Sequence, residues 1–302
     1  MKTLVLKIDV DTLRGTLIGV PRLMSQHQAY GISATFLFSL GPDHTGRAIK
    51  RVFRKGFLGK VSRTSVLQHY GLRTLLYGTL LPGPDIGLRA ATVLRAVRDA
   101  GFEVGIHTWD HIAWQDGVST ASESWTFRQM ERAENRFNEL FGYAAHVHGA
   151  AGWQMNDSAF KHLDQAAIQV SSDCRGQEPF VPVINGVALR CPQLPTTLPT
   201  LDELIGLNGV TEDNAAHRVL EMTEQSPAHG HVFTLHAELE GMRLNAIYDK
   251  LLQGWQRQGY RFMCMGEKVN TLDIQNRPRC TVVYGELAGR SGTLALQGPV
   301  RI

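Results

Sequence analysis

The sequence predicts an α/β protein built on a parallel sheet or barrel. Two observations carry that prediction. Short apolar, strand-like runs alternate with amphipathic, helix-like stretches along most of the chain. The residues able to do chemistry also collect where those apolar runs end: Asp9 and Asp11, His107 and His111, His148, Asp173 and His236. In parallel architectures the carboxyl ends of strands are where sites are built.

The elements follow in order. Residues 4–10 read as a first buried strand, 21–30 as a helix ended by Gly31, and 34–38 as the second strand. Residues 88–99 carry apolar side chains at Leu88, Ala91, Leu94 and Val97, a helical stripe stopped by Gly101. A strand over 102–106 leads into the His pair. Residues 126–141 form another amphipathic helix, closed by Gly142. A short strand at 145–148, a helix at 160–167 and a strand around 169–172 follow. The pattern then gives a helix at 214–224, a strand at 231–236, a helix at 246–258 stopped by Gly259, and a strand at 260–264. Beyond residue 270 the pattern is too weak to assign. Nothing repeats at a fixed period, so one barrel-like domain is the economical reading.

Composition bounds the function. With 302 residues, 43% of them hydrophobic, the chain can bury a large core. A net charge of +3 gives no reason to expect a nucleic-acid partner. Cys174, Cys191, Cys264 and Cys280 have no CxxC spacing, which suits free thiols in a reducing compartment. The run from Met1 to Asp9 is too short and too soon interrupted by charge to be a signal peptide. No stretch approaches the roughly 18 apolar residues of a membrane span. The expectation is a cytoplasmic protein that does not cross a bilayer.

The chemistry lies in two clusters about a hundred residues apart. Asp9 and Asp11 stand in Ile8-Asp9-Val10-Asp11-Thr12, and His107 and His111 in His107-Thr108-Trp109-Asp110-His111. A divalent metal binds imidazole nitrogen and carboxylate oxygen, with one position left for water. Two His and one Asp make such a set, and the other Asp is left free to act as a base. Taken singly, an Asp-x-Asp after a strand is often a helix cap, and two His four residues apart arise by chance. It is their order and shared placement at strand ends that predicts a metal-dependent hydrolase. Trp109 and Trp153 read more simply as packing residues than as sugar platforms.

These residues resemble the carbohydrate esterase and deacetylase family with the NodB homology domain. Ile8-Asp9-Val10-Asp11-Thr12 corresponds to the family's first motif, His107-Thr108-Trp109-Asp110-His111 to its second, and Leu235-His236 to its last. The resemblance implies a distorted seven-stranded (β/α) barrel, with residues 1–302 as a single NodB-homology domain. It also implies that Asp11, His107 and His111 hold the metal, Asp9 takes the proton from water, and His236 protonates the leaving group. His148 and Asp173 would orient their neighbours. Zinc is the default metal, with manganese, cobalt and iron as alternatives. Two departures stand out. The aspartates are split by Val10, and His148 occupies the region where the family supplies an Arg. The runs His148-Gly149-Ala150-Ala151-Gly152-Trp153 and Arg190-Cys191-Pro192-Gln193-Leu194-Pro195 resemble members that deformylate a formamido-arabinose carried on undecaprenyl phosphate, a step towards modified lipid A and polymyxin resistance. A polysaccharide or peptidoglycan N-deacetylase is the first rival, and a non-catalytic membrane- or carbohydrate-binding barrel the second.

One segment stands apart. Residues 44–84 contain no Asp or Glu, yet hold Arg47, Lys50, Arg51, Arg54, Lys55, Lys60, Arg63 and Arg73, interleaved with apolar residues. Residues 47–58 could form a helix with a basic face and an apolar face, a pattern suited to an anionic membrane surface. The expectation is a lid that docks the protein on the inner face of the bacterial inner membrane.

Overall fold

The computed structural model describes residues 1–48, 71–166 and 168–301. Its middle is β1 (Thr3–Val10), whose residues from Leu4 onward are all buried. A nearly continuous apolar run of this kind belongs to a strand covered on both faces. Along Lys7–Val10 it pairs in parallel with β2 (Thr35–Ser39), and along Leu4–Asp9 with β8 (His231–His236). Its first residues, Thr3–Val5, which β2 leaves free, take β9 (Arg261–Met263). Beyond β2 lie β3 (Glu103–Thr108), β4 (Val147–His148) and β5 (Val170–Ser171), each parallel to the last. The order is β5-β4-β3-β2-β1-β8 with β9 beside β1, seven strands in all.

The sheet curls into a half-barrel. Among the described residues no ladder joins β5 to β8, and the seam is spanned instead by residues 192–198. The Ser171 amide donates to the Pro192 carbonyl at 3.0 Å and the Leu194 amide to Ser171 at 2.8 Å. On the other side the Thr197 amide donates to the Val232 carbonyl at 3.1 Å. Pro192 and Pro195 lack the amide protons a regular ladder needs, so this wall is extended but is not a strand.

Helices cover the outside. α1 (Val20–Tyr30) ends on Gly31 at φ 63°, a left-handed position that favours glycine. α2 (Ile86–Arg89) and α3 (Ala91–Asp99) divide what the apolar stripe at 88–99 suggested was one helix. Ala90, at φ −108° and ψ 11°, breaks it. α4 (His111–Gly117), α5 (Glu123–Phe141), α6 (Asp157–Gln165), α7 (Glu212–Met222) and α8 (Asn245–Arg257) follow. Of the stripe its periodicity predicts, α5 buries Met130, Phe137 and Leu140, while Phe127 is half-buried and Ala133 joins the buried face.

A second sheet was not foreseen. β6 (Val181–Ile184), β7 (Val187–Ala188), β10 (Arg279–Gly285) and β11 (Leu294–Val300) form it in the order β11-β10-β6-β7. Most of the unassigned tail is therefore a hairpin. It is tied to the half-barrel through Arg175, whose amide donates to Ala295 and whose carbonyl accepts from Gln297. No helix among the described residues is long and apolar enough to cross a membrane. The helix expected at 47–58 lies largely outside the described residues, as do the basic residues Lys50, Arg51, Arg54, Lys55, Lys60 and Arg63.

Candidate metal centre

The two sequence clusters meet. Asp9 is the ninth residue of the chain and lies in register with His236 of β8 on one side and Leu37 of β2 on the other. Asp11 leaves the strand end in a loop pinned by Glu238. The Glu238 Oε1 accepts from the Asp11 amide at 3.1 Å, the Thr12 amide at 2.8 Å and the Thr12 hydroxyl at 2.8 Å. That carboxylate lies against Gly15, where any Cβ would collide with it. From the far side, β3 delivers His107, and α4 begins with His111. Between them Asp110 caps α4, accepting from the Ala113 amide at 3.0 Å, and pairs with His44 Nδ1 at 2.6 Å. The His-x-x-x-His spacing thus straddles a strand end and the first turn of a helix.

Asp11, His107 and His111 each offer a ligand atom, all within 4.8 Å of one another. His107 Nε2 lies 3.2 Å from Asp11 Oδ1, and His111 Nε2 lies 3.4 Å from Asp11 Oδ2. The Gly149 carbonyl, 2.6 Å from His107 Nδ1, can only accept, so it fixes the proton on that nitrogen. In the neutral form that a metal ligand must take, His107 presents the lone pair of Nε2 to the Asp11 carboxylate 3.2 Å away, acceptor against acceptor. The Asp11 Oδ1 is buried and has no hydrogen-bond donor. A proton or a metal ion between the members of this arrangement resolves it, and the donor set suits a divalent ion. The imidazoles hold Asp11 well below the usual carboxylate range despite its burial, His111 most strongly. For His107, burial alone would lower the pKa, but Asp9 and Asp11 outweigh it and raise it.

Asp9 sits in a different environment. Its Oδ2 is 3.4 Å from the Lys7 ammonium, while its buried Oδ1 has no hydrogen-bond partner and lies 3.9 Å from His107 Nδ1. His236 is anchored by its amide, which donates to Glu240 Oε2 at 2.8 Å, and its buried ring Nδ1 has no partner.

His148 and Asp173 form a pair of their own at 2.7 Å. Asp173 also accepts from the Ala150 amide and from Gln193 Nε2. Though wholly buried, it is held below its ordinary pKa, because the His148 charge and the hydrogen bonds from His148, Gln193 and Ser171 overcome desolvation. The pair is linked to the centre through backbone: His148 precedes Gly149, whose carbonyl orients His107.

Several participants escaped the sequence reading. Lys7 is fully buried within β1; a charge two residues before Asp9 on the same strand face was the available signal. Glu238 and Glu240 are buried just past His236. Burial and the Asp11 charge raise Glu238 well above its ordinary pKa, and burial pushes Glu240 up to about 8. Arg290, from the tail hairpin, had no signal at all. It joins Arg175 over the faces of Trp153, at 4.6 and 4.8 Å, and both guanidiniums pair with Glu203. Trp153 is 1% exposed, and Trp109 packs against Gly41 and the Arg136 guanidinium. Trp153 is thus a packing residue, as expected, whereas Trp109 is half-buried.

A curled parallel sheet carrying an Asp–His–His set at its strand ends defines a class, the divalent-metal hydrolases built on α/β barrels. The particular family is shown by comparison: the profile of the polysaccharide deacetylase family matches residues 20–171, and the chain belongs to that family. It is 35% identical, over 97% of its length and 93% of the relative's, to a Shewanella sediminis protein named "Probable 4-deoxy-4-formamido-L-arabinose-phosphoundecaprenol deformylase ArnD". A protein of the same name from Wigglesworthia glossinidia brevipalpis is 28% identical over 94% of this chain and 98% of its own. Among solved structures, a putative polysaccharide deacetylase from Mycobacterium smegmatis shares the fold at TM-score 0.62, with 15% identity over 95% of this chain and 96% of that one. A family 4 acetyl xylan esterase from Clostridium thermocellum, solved with a cobalt ion, does so at TM-score 0.51, with 13% identity over 89% and 91%.

Proposed function

We propose that this chain hydrolyses the formamide of 4-deoxy-4-formamido-L-arabinose carried on undecaprenyl phosphate, giving formate and the free amino sugar. The observation that carries the reading is the convergence of Asp11, His107 and His111 beside an unligated Asp9, in a chain so similar over its length to the Shewanella protein. Asp11, His107 and His111 would hold a divalent metal, zinc in the first instance. When bound, that ion lowers the pKa of water and polarises the carbonyl. Asp9 Oδ1, free of other partners, takes the proton from the attacking water. His236 returns a proton to the sugar nitrogen, since an amide nitrogen leaves only when protonated. A backbone amide stabilises the oxyanion. The Asp173–His148 pair keeps the 148–150 backbone in place, and with it the carbonyl that orients His107.

The whole chain, both sheets included, works as one catalytic domain in this reading. The substrate keeps its anionic phosphate and long chain at the bilayer, so residues 44–84 dock the enzyme on the cytoplasmic leaflet. Their basic content supports this, as do Leu72 and Leu80, which are 68% and 81% exposed. The product would supply aminoarabinose for lipid A and so resistance to polymyxin.

The test is formate release from the lipid-linked formamido sugar, with and without chelator and then with zinc, manganese, cobalt or iron restored. Release that stops with chelator and returns with metal is expected. Acetate release from acetylated glucosamine oligomers, with no formate from the formamido sugar, would replace the reading by a polysaccharide deacetylase. Binding without turnover of either would leave only the non-catalytic barrel.

A further inference from the structure

Lys7 is a buried charge that the reaction above does not use. Lys7 has no solvent exposure and sits in a strand whose other residues, from Leu4 to Val10, are apolar except for Asp9. An ammonium in that position persists only with partners. It has three: Asp9 Oδ2 at 3.4 Å, the Ser172 carbonyl at 3.1 Å, and the face of Trp153 at 5.1 Å. The other two cations over Trp153, Arg175 and Arg290, are paired with carboxylates of their own at Glu203 and Asp202. The lysine, by contrast, is directed at Asp9.

The space Lys7 occupies depends on Gly149. A Cβ there would lie 3.0 Å from Lys7 Cε and 3.3 Å from its Nζ, and would collide with Leu37. Gly149 therefore serves both sides of the centre. Its carbonyl orients His107, and its missing side chain admits the cation beside Asp9.

We propose that Lys7 is the positioning residue for Asp9: its ammonium holds Oδ2 and so fixes the carboxylate with Oδ1 turned to the reacting water. The strand supplies the geometry, because residues 7 and 9 point to the same face. No part of the site carried by another element has to move into place. The inference rests on the proposed role of Asp9 as base.

The experiment compares Lys7→Met and Lys7→Arg with the unaltered enzyme. Lys7→Met is expected to lower kcat about 100-fold, the effect of a small misplacement of a reacting group. KM and the zinc affinity measured by calorimetry should stay unchanged, and Lys7→Arg should recover most of the loss. In an Asp9→Asn background Lys7→Met should cost nothing further, since no base remains to be positioned. A purely structural lysine would lower stability, zinc affinity and kcat together, and its effect would add to that of Asp9→Asn. Either that pattern or full activity in Lys7→Met overturns the inference. Lys7→Gln, which keeps a donor for the Ser172 carbonyl, carries the same test where the methionine variant does not fold. If the unaltered enzyme releases no formate, the proposed function fails, and Lys7 is then judged by a crystal structure of Lys7→Met. An Asp9 carboxylate still in its present orientation would refute the positioning role whatever the substrate.

Discussion

Asp9 and Asp11 stand two residues apart at the end of one strand, and their surroundings differ in kind. Asp11 faces two imidazoles, His107 and His111, which offer lone pairs and share a cation well. Asp9 faces an ammonium, Lys7, which has no lone pair to offer and binds one carboxylate oxygen while leaving the other free. Identical side chains are thereby suited to different work, one to ligation and one to proton transfer. In the proposed reading, the roles within the Asp-x-Asp pair follow from what faces each carboxylate, a lysine of the same strand for Asp9 and imidazoles from β3 and α4 for Asp11.

The largest effects should come from exchanging those environments' key groups. Asp9→Asn removes the free base, and turnover is expected to fall by about 1,000-fold or more, with zinc affinity by calorimetry little changed. Asp11→Asn should instead lower zinc affinity by more than the ~10–100-fold that follows loss of an outer partner. A zinc-depleted Asp9→Asn beside a zinc-replete Asp11→Asn would invert the comparison. His236→Ala should keep its metal and lose about 100-fold in kcat; near-normal rates would remove it from the acid role.

A smaller effect separates the centre from its supports. His148→Ala strips a charge-assisted hydrogen bond from a wholly buried Asp173 and should cost about 2–3 kcal/mol in urea unfolding. The Ala150 and Gln193 donors remain, so the carboxylate is not left bare. Activity should fall about tenfold, through loosening of the backbone that holds His107. A stability loss with no change in rate would make the pair purely structural.

What the sequence revealed of this site follows the strength of local signals. β1 is a long, nearly continuous apolar run, and β8 has the bounds expected of it, 231–236. Gly31, Gly101, Gly142 and Gly259 all adopt positive φ where helix stops were expected. The convergence of Asp11, His107 and His111 was legible because strand ends carry the chemistry in parallel folds. Other parts had no comparable signal. β10 and β11 are half-exposed and lack strict alternation, and β6 and β7 are very short. The seam at 192–198 is held by tertiary hydrogen bonds around two prolines. Lys7 is visible in the sequence, but a charge in an apolar run reads as an interruption until the fold shows it as half of a buried pair.

Glu240 offers the finest test, because it anchors His236 without being placed in the reaction. The side chain is fully buried, and burial pushes its pKa up to about 8. An unfolded glutamate ionises near 4.3. Between those values the folded protein keeps a proton that the unfolded chain has lost, so (ν_U − ν_N) is negative and stability falls as pH rises. Below this window both states are protonated and the contribution is constant; above about 8 both are ionised and the full loss has been incurred. Glu240→Gln keeps an acceptor for the His236 amide and cannot ionise. Its stability should therefore match the unaltered protein near pH 4 and exceed it by a few kcal/mol at pH 8, at about 1.4 kcal/mol per pKa unit. Urea unfolding of both proteins at each pH decides the matter. Parallel pH profiles would mean that Glu240 is ionised in the fold, with a counter-charge near its unpartnered Oε1.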